Sequence, residues 1–227
     1  YPAMEFIRND VCFQNSNVNL LAVGSGLSVS ALGPTHHSTE DISVLRAIPN
    51  LELLSPATPK QVEQCILRAY ETKGPVYIRI GMGNEIECFD ENYIMQDGFD
   101  ILREGEDGII FTTGSILREV LAAADMLKDE GVDLKVINVV RLKPFDTDFV
   151  HEQIKDAINI FTVEEHNVHG GLGGIISEVI TEAGMTANLG RIGLEDRFAI
   201  SYGKIEQIRA ENGLDKLSIR RKIRERL

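Results

Sequence analysis

Two adjacent imidazoles, His36 and His37, follow the turn Gly33-Pro34-Thr35 and precede Ser38-Thr39-Glu40-Asp41. Histidine is the side chain whose ordinary pKa lies nearest neutrality, so a fixed pair can donate, accept and relay protons in neutral solution. Glycine tolerates positive φ and proline holds φ near about −65°, which sets the pair behind a rigid bend. Ser38 or Thr39 is placed to cap a helix over residues 40–46. Glu40 and Asp41 then read as helix-start residues, where the dipole favours acids, rather than as general acids. Imidazoles at the mouth of a helix N-terminus suit a reaction in which negative charge develops on oxygen. A surface or hydrogen-bonded structural role is the alternative, and pattern alone leaves both open.

The elements that must position this loop read as alternating helices and strands. Residues 4–11 form a helix with Met4, Ile7 and Val11 on one face, and residues 19–24 a buried strand. A strand over 51–56 leads to Thr58, which caps a helix beginning at Pro59 with Val62, Cys65, Ile66 and Ala69 inward. Arg79 lies on a strand over 76–80, where a substrate anion and a structural carboxylate are both open as its partner. Residues 81–105, rich in Gly, Asn, Asp and Glu, predict a linker with a short edge strand near 92–94. A second set follows, with strands over 108–114, 134–140, 159–165 and 188–194. Helices cover 116–130, a stretch ending at Ile154, 174–183 and two C-terminal segments, the last of them basic and read as solvated. Strands separated by helices of this length imply right-handed parallel crossovers and an α/β sheet covered on both faces.

The stretch Glu164-Glu165-His166-Asn167 and the glycines Gly170-Gly171-Leu172-Gly173-Gly174 invite a phosphate cradle or a metal site. The glycine spacing matches neither a Walker loop nor a dinucleotide fingerprint. His166 and His169 have no cysteines at a ligand spacing, and no metal ligand is assigned.

Composition bounds the partners. The chain has 227 residues, 43% hydrophobic and 26% charged, which suits one large or two small folded cores. A net charge of −12 disfavours nucleic acid or an anionic membrane as a general partner. No apolar run reaches membrane-spanning length, and the first residues carry no signal-peptide pattern. Cys12, Cys65 and Cys88, odd in number and without CxxC spacing, predict reduced thiols in a cytoplasmic protein. The opening on Tyr1 suggests a piece of a longer chain.

The run from Gly33-Pro34-Thr35-His36-His37 through Val76-Tyr77-Ile78-Arg79-Ile80 resembles the second half of the pyrimidine-binding domain of the transketolase family. It is nearest to the split-type enzymes and to deoxyxylulose-phosphate synthase, which share the histidine loop, and the likeness continues more loosely to the end of the chain. The resemblance implies an α/β fold, with a partial pyrimidine-binding parallel-sheet domain over 1–87, a linker over 88–106 and a three-layer αβα transketolase C-terminal domain over 107–227. It implies thiamine diphosphate-dependent transfer of a two-carbon ketol unit between sugars or sugar phosphates. His36 is then the catalytic group, facing the reactive carbon and bonding substrate oxygens, with His37 and Arg79 binding substrate. The glycine run around 170–174 becomes a family hallmark that packs helix closely on strand.

Three departures matter. Where full-length transketolases carry a histidine, an aspartate and a phosphate-binding arginine, this chain has Gly24, Leu32 and Met82. That points away from ordinary pentose phosphates and towards a related donor or acceptor. The glutamate and aromatics that hold the aminopyrimidine ring, and the Gly-Asp-Gly motif for diphosphate, are not in this sequence. Thiamine diphosphate and Mg2+ would therefore be held mainly outside it, in a homodimer or a heterotetramer with an N-terminal transketolase subunit. Two alternatives stand beside this reading. One is decarboxylating chemistry, as in deoxyxylulose-phosphate synthase or the beta subunits of 2-oxoacid dehydrogenases. The other is a non-catalytic interaction subunit.

Overall fold

The computed structural model describes residues 2–83, 85–96 and 98–227; Tyr1, and Asn84 and Asp97 of the 81–105 stretch, lie outside them. A short helix, α1 (Met4–Phe6), runs on as a π-helix over Ile7–Cys12, and Met4, Ile7 and Val11 pack on the core as their spacing predicts. The first half then forms β1 (Asn19–Val23), α2 (Asp41–Leu45), β2 (Glu52–Leu54), α3 (Pro59–Glu71) and β3 (Val76–Ile80). The second half forms β4 (Phe99–Arg103), β5 (Gly108–Thr113), α4 (Leu117–Asp129), β6 (Leu134–Val139), β7 (Arg141–Lys143), α5 (Thr147–Ile154), β8 (Asn159–Asn167), α6 (Leu172–Glu182), β9 (Asn188–Leu194), α7 (Ile205–Glu211) and α8 (Lys216–Arg224).

Two sheets result. The first has the order β1-β3-β2-β7 and the second β4-β6-β5-β8-β9. Each is parallel except for one edge strand: β7 pairs antiparallel with β2, and β4 antiparallel with β6. Strand β7 reaches back from the second half to close the edge of the first half's sheet. The α/β architecture is the one expected, but the two halves are not the separate parallel sheets that the order of elements suggests.

Period-2 alternation places neighbouring strand residues on opposite faces of the larger sheet. Phe111 and Ile137 face α5 and α6, joining Ile154, Ile176 and Val179. Ile110 and Val136 face the other way, with Val120 and Leu127 of α4, Ile208 of α7 and Ile219 and Ile223 of α8. Ile42 and Leu45 of α2 belong to the same cluster as α5 and α6, so the two sheets share a continuous core. Burying a side chain of the Leu, Ile or Phe kind contributes about 1.5–3 kcal/mol. Two wide apolar faces therefore hold the larger sheet, and one of them also grips the segment that follows the histidine loop.

Several local expectations are corrected. Strand β1 is not buried: it is the outer edge of its sheet, and Leu21 and Val23 are 54% and 66% exposed. The edge strand expected near 92–94 is absent among the described residues, and Phe99–Arg103 supplies the edge instead. Thr58 caps α3 by accepting from the Gln61 N–H, as predicted, but Ile66 faces solvent and the buried face is Gln61, Cys65 and Ala69. Gln61 can be buried because Ala57 N–H and Asn138 donate to its Oε1 and its Nε2 donates to Asp100. Neither Ser38 nor Thr39 caps α2; Thr39 Oγ1 donates to Glu40 Oε1, and the helix starts at Asp41.

Candidate active site

The histidine loop joins β1 to α2. It is drawn in at its base by an antiparallel pairing of Gly26 with Ser38, each donating its N–H to the other's carbonyl at 2.9 Å. At its far end His36 N–H donates to Gly33 O at 3.0 Å, giving the bend that Gly-Pro predicts. Gly33 has φ +74°, a conformation that disfavours any side chain, and a Cβ there would collide with the Tyr202 ring. The bend is thus formed by local sequence and seated against a residue near the C-terminus.

The two imidazoles face different surroundings. His36 is exposed, and its Nδ1 lies 3.0 Å from Thr35 Oγ1. His37 is half-buried, and neither of its ring nitrogens has a hydrogen-bond partner among the described residues. Burial lowers the His37 pKa below the ordinary imidazole value, while the carboxylates of Glu165 and Glu40 pull it upward. The ring lines a cavity of about 220 Å³ together with Met4 and Ile7, Glu40 and Asp41, and Tyr77. A neutral imidazole carries one donor and one acceptor, and in His37 both nitrogens are buried without a partner among the described residues, beside a small mixed cavity.

Arg79 is 1% exposed and supports the loop through Nε and one terminal nitrogen. Its Nε donates to Asp41, while one terminal nitrogen donates to Ser38 O and Glu165 O, each at 3.0 Å. The structure gives this arginine a carboxylate partner and places it directly beneath the second histidine's neighbour.

Strand β8 carries residues that the sequence singles out without giving their role. It extends to Asn167, and Glu164, Glu165 and His166 are all buried. Glu164 accepts the N–H groups of Leu172 and Gly173, at 2.7 and 2.8 Å, and so neutralises the N-terminus of α6. The amides that could have cradled a phosphate are filled by the chain's own carboxylate. Burial nevertheless pushes the Glu164 carboxyl up to about 7, against the pull of those two donors. A Cβ at Gly171 would strike the Glu164 carboxylate and His166, so the glycine permits the close approach of helix to strand. His166 pairs with Asn167 O at 2.8 Å, and burial lowers its pKa. The one advance signal of these roles is the apolar run leading into consecutive acids, which only a strand end beside a helix start makes useful.

Among the described residues no group of three His, Cys, Asp or Glu side chains is disposed to hold a metal ion, and no helix is long and apolar enough to cross a membrane. Gly24 and Met82, two of the three departures noted in the sequence, are neighbours in space: a Cβ at Gly24 would lie 3.9 Å from Met82 Sδ and 2.5 Å from Val29 Cγ2. Met82 lines a cleft with Glu85, Arg118, Glu119 and Arg209, and Glu85 accepts the Gly83 N–H at 2.9 Å.

Comparison with known proteins gives the same architecture. Residues 2–84 match the family model described as transketolase, pyrimidine binding domain, and residues 98–219 that described as transketolase, C-terminal domain. The chain is 37% identical over 219 residues to one subunit of the apulose-4-phosphate transketolase of Actinobacillus succinogenes, covering 96% of this chain and 70% of that one. It is 32% identical over 226 residues to 1-deoxy-D-xylulose-5-phosphate synthase 1 of Geobacter metallireducens, covering 98% of this chain but 36% of that one. A solved structure described as a split gene transketolase, inactive beta4 tetramer, superimposes with a TM-score of 0.88 at 30% identity, covering 100% of this chain and 72% of that chain.

Proposed function

The chain belongs to the transketolase family, and we propose that it is the C-terminal part or subunit of a thiamine diphosphate-dependent ketol transferase that works with an N-terminal transketolase subunit. The observation that carries this reading is the histidine loop itself: one imidazole exposed, the next lining a cavity with both nitrogens unpartnered among the described residues, on a base fastened to both sheets. His36 is the catalytic residue. In the tautomer whose Nδ1 accepts from the Thr35 hydroxyl, the proton resides on Nε2, which donates to a hydroxyl or carbonyl oxygen of the sugar as negative charge gathers there. His37 binds substrate or the edge of the coenzyme ring through its free donor and acceptor. Arg79 serves substrate binding by holding Ser38, and with it the imidazole pair, in place.

The fit to the coenzyme is partial. The mixed cavity beside His37 suits one side of a small heteroaromatic or sugar group, whereas no cluster in the described residues suits Mg2+ and a diphosphate. Thiamine diphosphate, when bound, supplies the nucleophilic carbon that carries the two-carbon unit; its diphosphate and metal are assigned to the partner subunit. Glycine and methionine at positions 24 and 82, where the resemblance leads one to expect histidine and arginine, favour a sugar donor or acceptor other than ordinary pentose phosphates. Three unpaired thiols accord with a cytoplasmic place, and the family's split members with a dimer or heterotetramer.

A coupled ketol-transfer assay on the complex reconstituted with its N-terminal subunit tests the reaction, with His36→Ala as control. Isothermal titration with thiamine diphosphate and Mg2+ tests the division of labour: binding is expected with the partner present and not with this chain alone. Absence of binding in both cases would favour the non-catalytic interaction subunit. Turnover with pyruvate as donor would favour the decarboxylating branch, which the shared Gly-Pro-Thr-His-His loop keeps in view.

A further inference from the structure

Glu165 touches both legs of the histidine loop. Its side chain is fully buried; Oε1 accepts the Leu27 N–H at 2.8 Å, and Oε2 accepts from Arg209 Nε at 2.5 Å. Arg209 is itself steadied by donating to Ser115 O at 3.3 Å. Gly26 lies against the same carboxylate, so closely that a Cβ there would sit 2.6 Å from Oε1 and 2.8 Å from the Glu165 carbonyl oxygen. That carbonyl accepts from the Arg79 nitrogen that also donates to Ser38 O. The Leu27 leg is thus fastened through the side chain and the Ser38 leg through the backbone, while the Gly26–Ser38 pairing closes the base between them.

A buried ion pair is an uneconomical way to fill a core, because an apolar pair of similar volume avoids the desolvation of two charges. Its retention beside the loop is explained if the direction of the bonds matters. We propose that Glu165 is a positioning residue for the histidine loop, tying both of its legs to β8, and that Arg209 holds its carboxylate in register. His37 reports on the arrangement, since its ring is faced by Glu165 from β8, Glu40 and Asp41 at the head of α2, Tyr77 from β3 and the adjoining His36.

The role in turnover rests on the ketol-transfer reading; the geometry does not, and the experiment separates the two. The complex with the N-terminal subunit would be prepared as native protein, as Glu165→Gln, and as the double variant Glu165→Leu with Arg209→Met. The double variant removes both charges together and so leaves no buried ion alone. Three quantities would be read: kcat and KM in ketol transfer, hydrogen exchange at the Leu27 amide, and the NMR titration of the His37 ring. The double variant should keep its cooperative melting, exchange Leu27 at least about tenfold faster, and lose about tenfold or more in kcat with a smaller change in KM. His37 should titrate at lower pH in both variants, because a facing negative charge is gone. If the double variant does not fold, Glu165→Gln carries the test, with a reduced kcat and the lowered His37 titration expected. Native kcat together with native Leu27 exchange in a folded variant would overturn the proposal. An inactive native complex that still shows the exchange and titration changes would instead refute the ketol-transfer reading and leave the positioning role standing.

Discussion

Arg79 Nε donates to both carboxylate oxygens of Asp41, at 2.9 and 3.1 Å, from a side chain that is 1% exposed. Asp41 opens the helix after the histidine loop and Arg79 lies mid-strand in β3, so the pair fixes where α2 begins. Removing one partner of a buried pair strands the other charge, which costs about 3–5 kcal/mol. Asp41→Ala is therefore expected to lower the unfolding free energy by about 3 kcal/mol in urea denaturation. A midpoint unchanged from native would mean that water, not Asp41, satisfies the guanidinium.

His36 is exposed, and its ring pairs with the hydroxyl of the adjacent Thr35. His36→Ala should leave the melting temperature within about a degree or two of native, since surface substitutions rarely move stability by more than about 0.5 kcal/mol. Turnover in the reconstituted complex should fall about a hundredfold or more. Unaltered turnover would remove this imidazole from the chemistry.

Gly33 adopts φ +74° and abuts the Tyr202 ring. Gly33→Ala adds a left-handed residue, costing about 1–2 kcal/mol, and forces Tyr202 aside. Adding Tyr202→Ala should relieve the collision but not the backbone strain, so the double variant should recover only part of the loss. Full recovery in thermal melts would assign the whole effect to the ring.

Glu164 gives stability a pH dependence. Burial raises its folded-state pKa from 4.5 to about 7. Below the unfolded pKa both states hold the proton and the group costs nothing. As pH rises from about 4.5 towards 7 the unfolded chain ionises first, so the folded state loses stability across that window, by up to about 3 kcal/mol from this group. Glu164→Gln should flatten the profile between those limits. A native profile that already lacks this decline would mean that the two α6 N–H donors outweigh burial.

Of the three thiols, Cys12 and Cys65 are buried and Cys88 is exposed. Burial pushes Cys65 up to about 12 and Cys88 up to about 11, so thiolate is scarce at both in neutral solution and access, not ionisation, separates them. Iodoacetamide under native conditions should add a single label, at Cys88, by intact mass and peptide mapping. Labelling of Cys65 before unfolding would place α3 in a more open state than the one described.

What the sequence disclosed follows from which forces act locally. The Gly-Pro bend, the Thr58 cap and the inward face of Met4, Ile7 and Val11 depend on neighbours within a few residues, and each is present. What it concealed depends on distant pairing. The exposure of β1 could not be read from Asn19-Leu20-Leu21-Ala22-Val23, because an apolar run does not say whether a strand lies inside a sheet or at its edge. Likewise Glu164-Glu165-His166, the end of an expected strand running into a loop, has no readable role until α6, Leu27 and Arg209 are brought around it. The role of His37 was open in the sequence for the same reason, since its surroundings come from α1, α2 and β3. Arg79, set between two candidate partners, proved to lie within reach of Asp41, a residue nearly forty positions earlier in the chain.

The antiparallel seat of Arg141–Lys143 on β2 bears on how such a protein can be dissected. A fragment ending after β3 would expose the backbone donors and acceptors of Glu52–Leu54, and a fragment beginning at β4 would carry a three-residue ribbon with nothing to zip against. Bare edges of that kind recruit other chains. Expression of either half by itself should therefore yield sticky, self-associating material, whereas the intact chain keeps its inner seam covered.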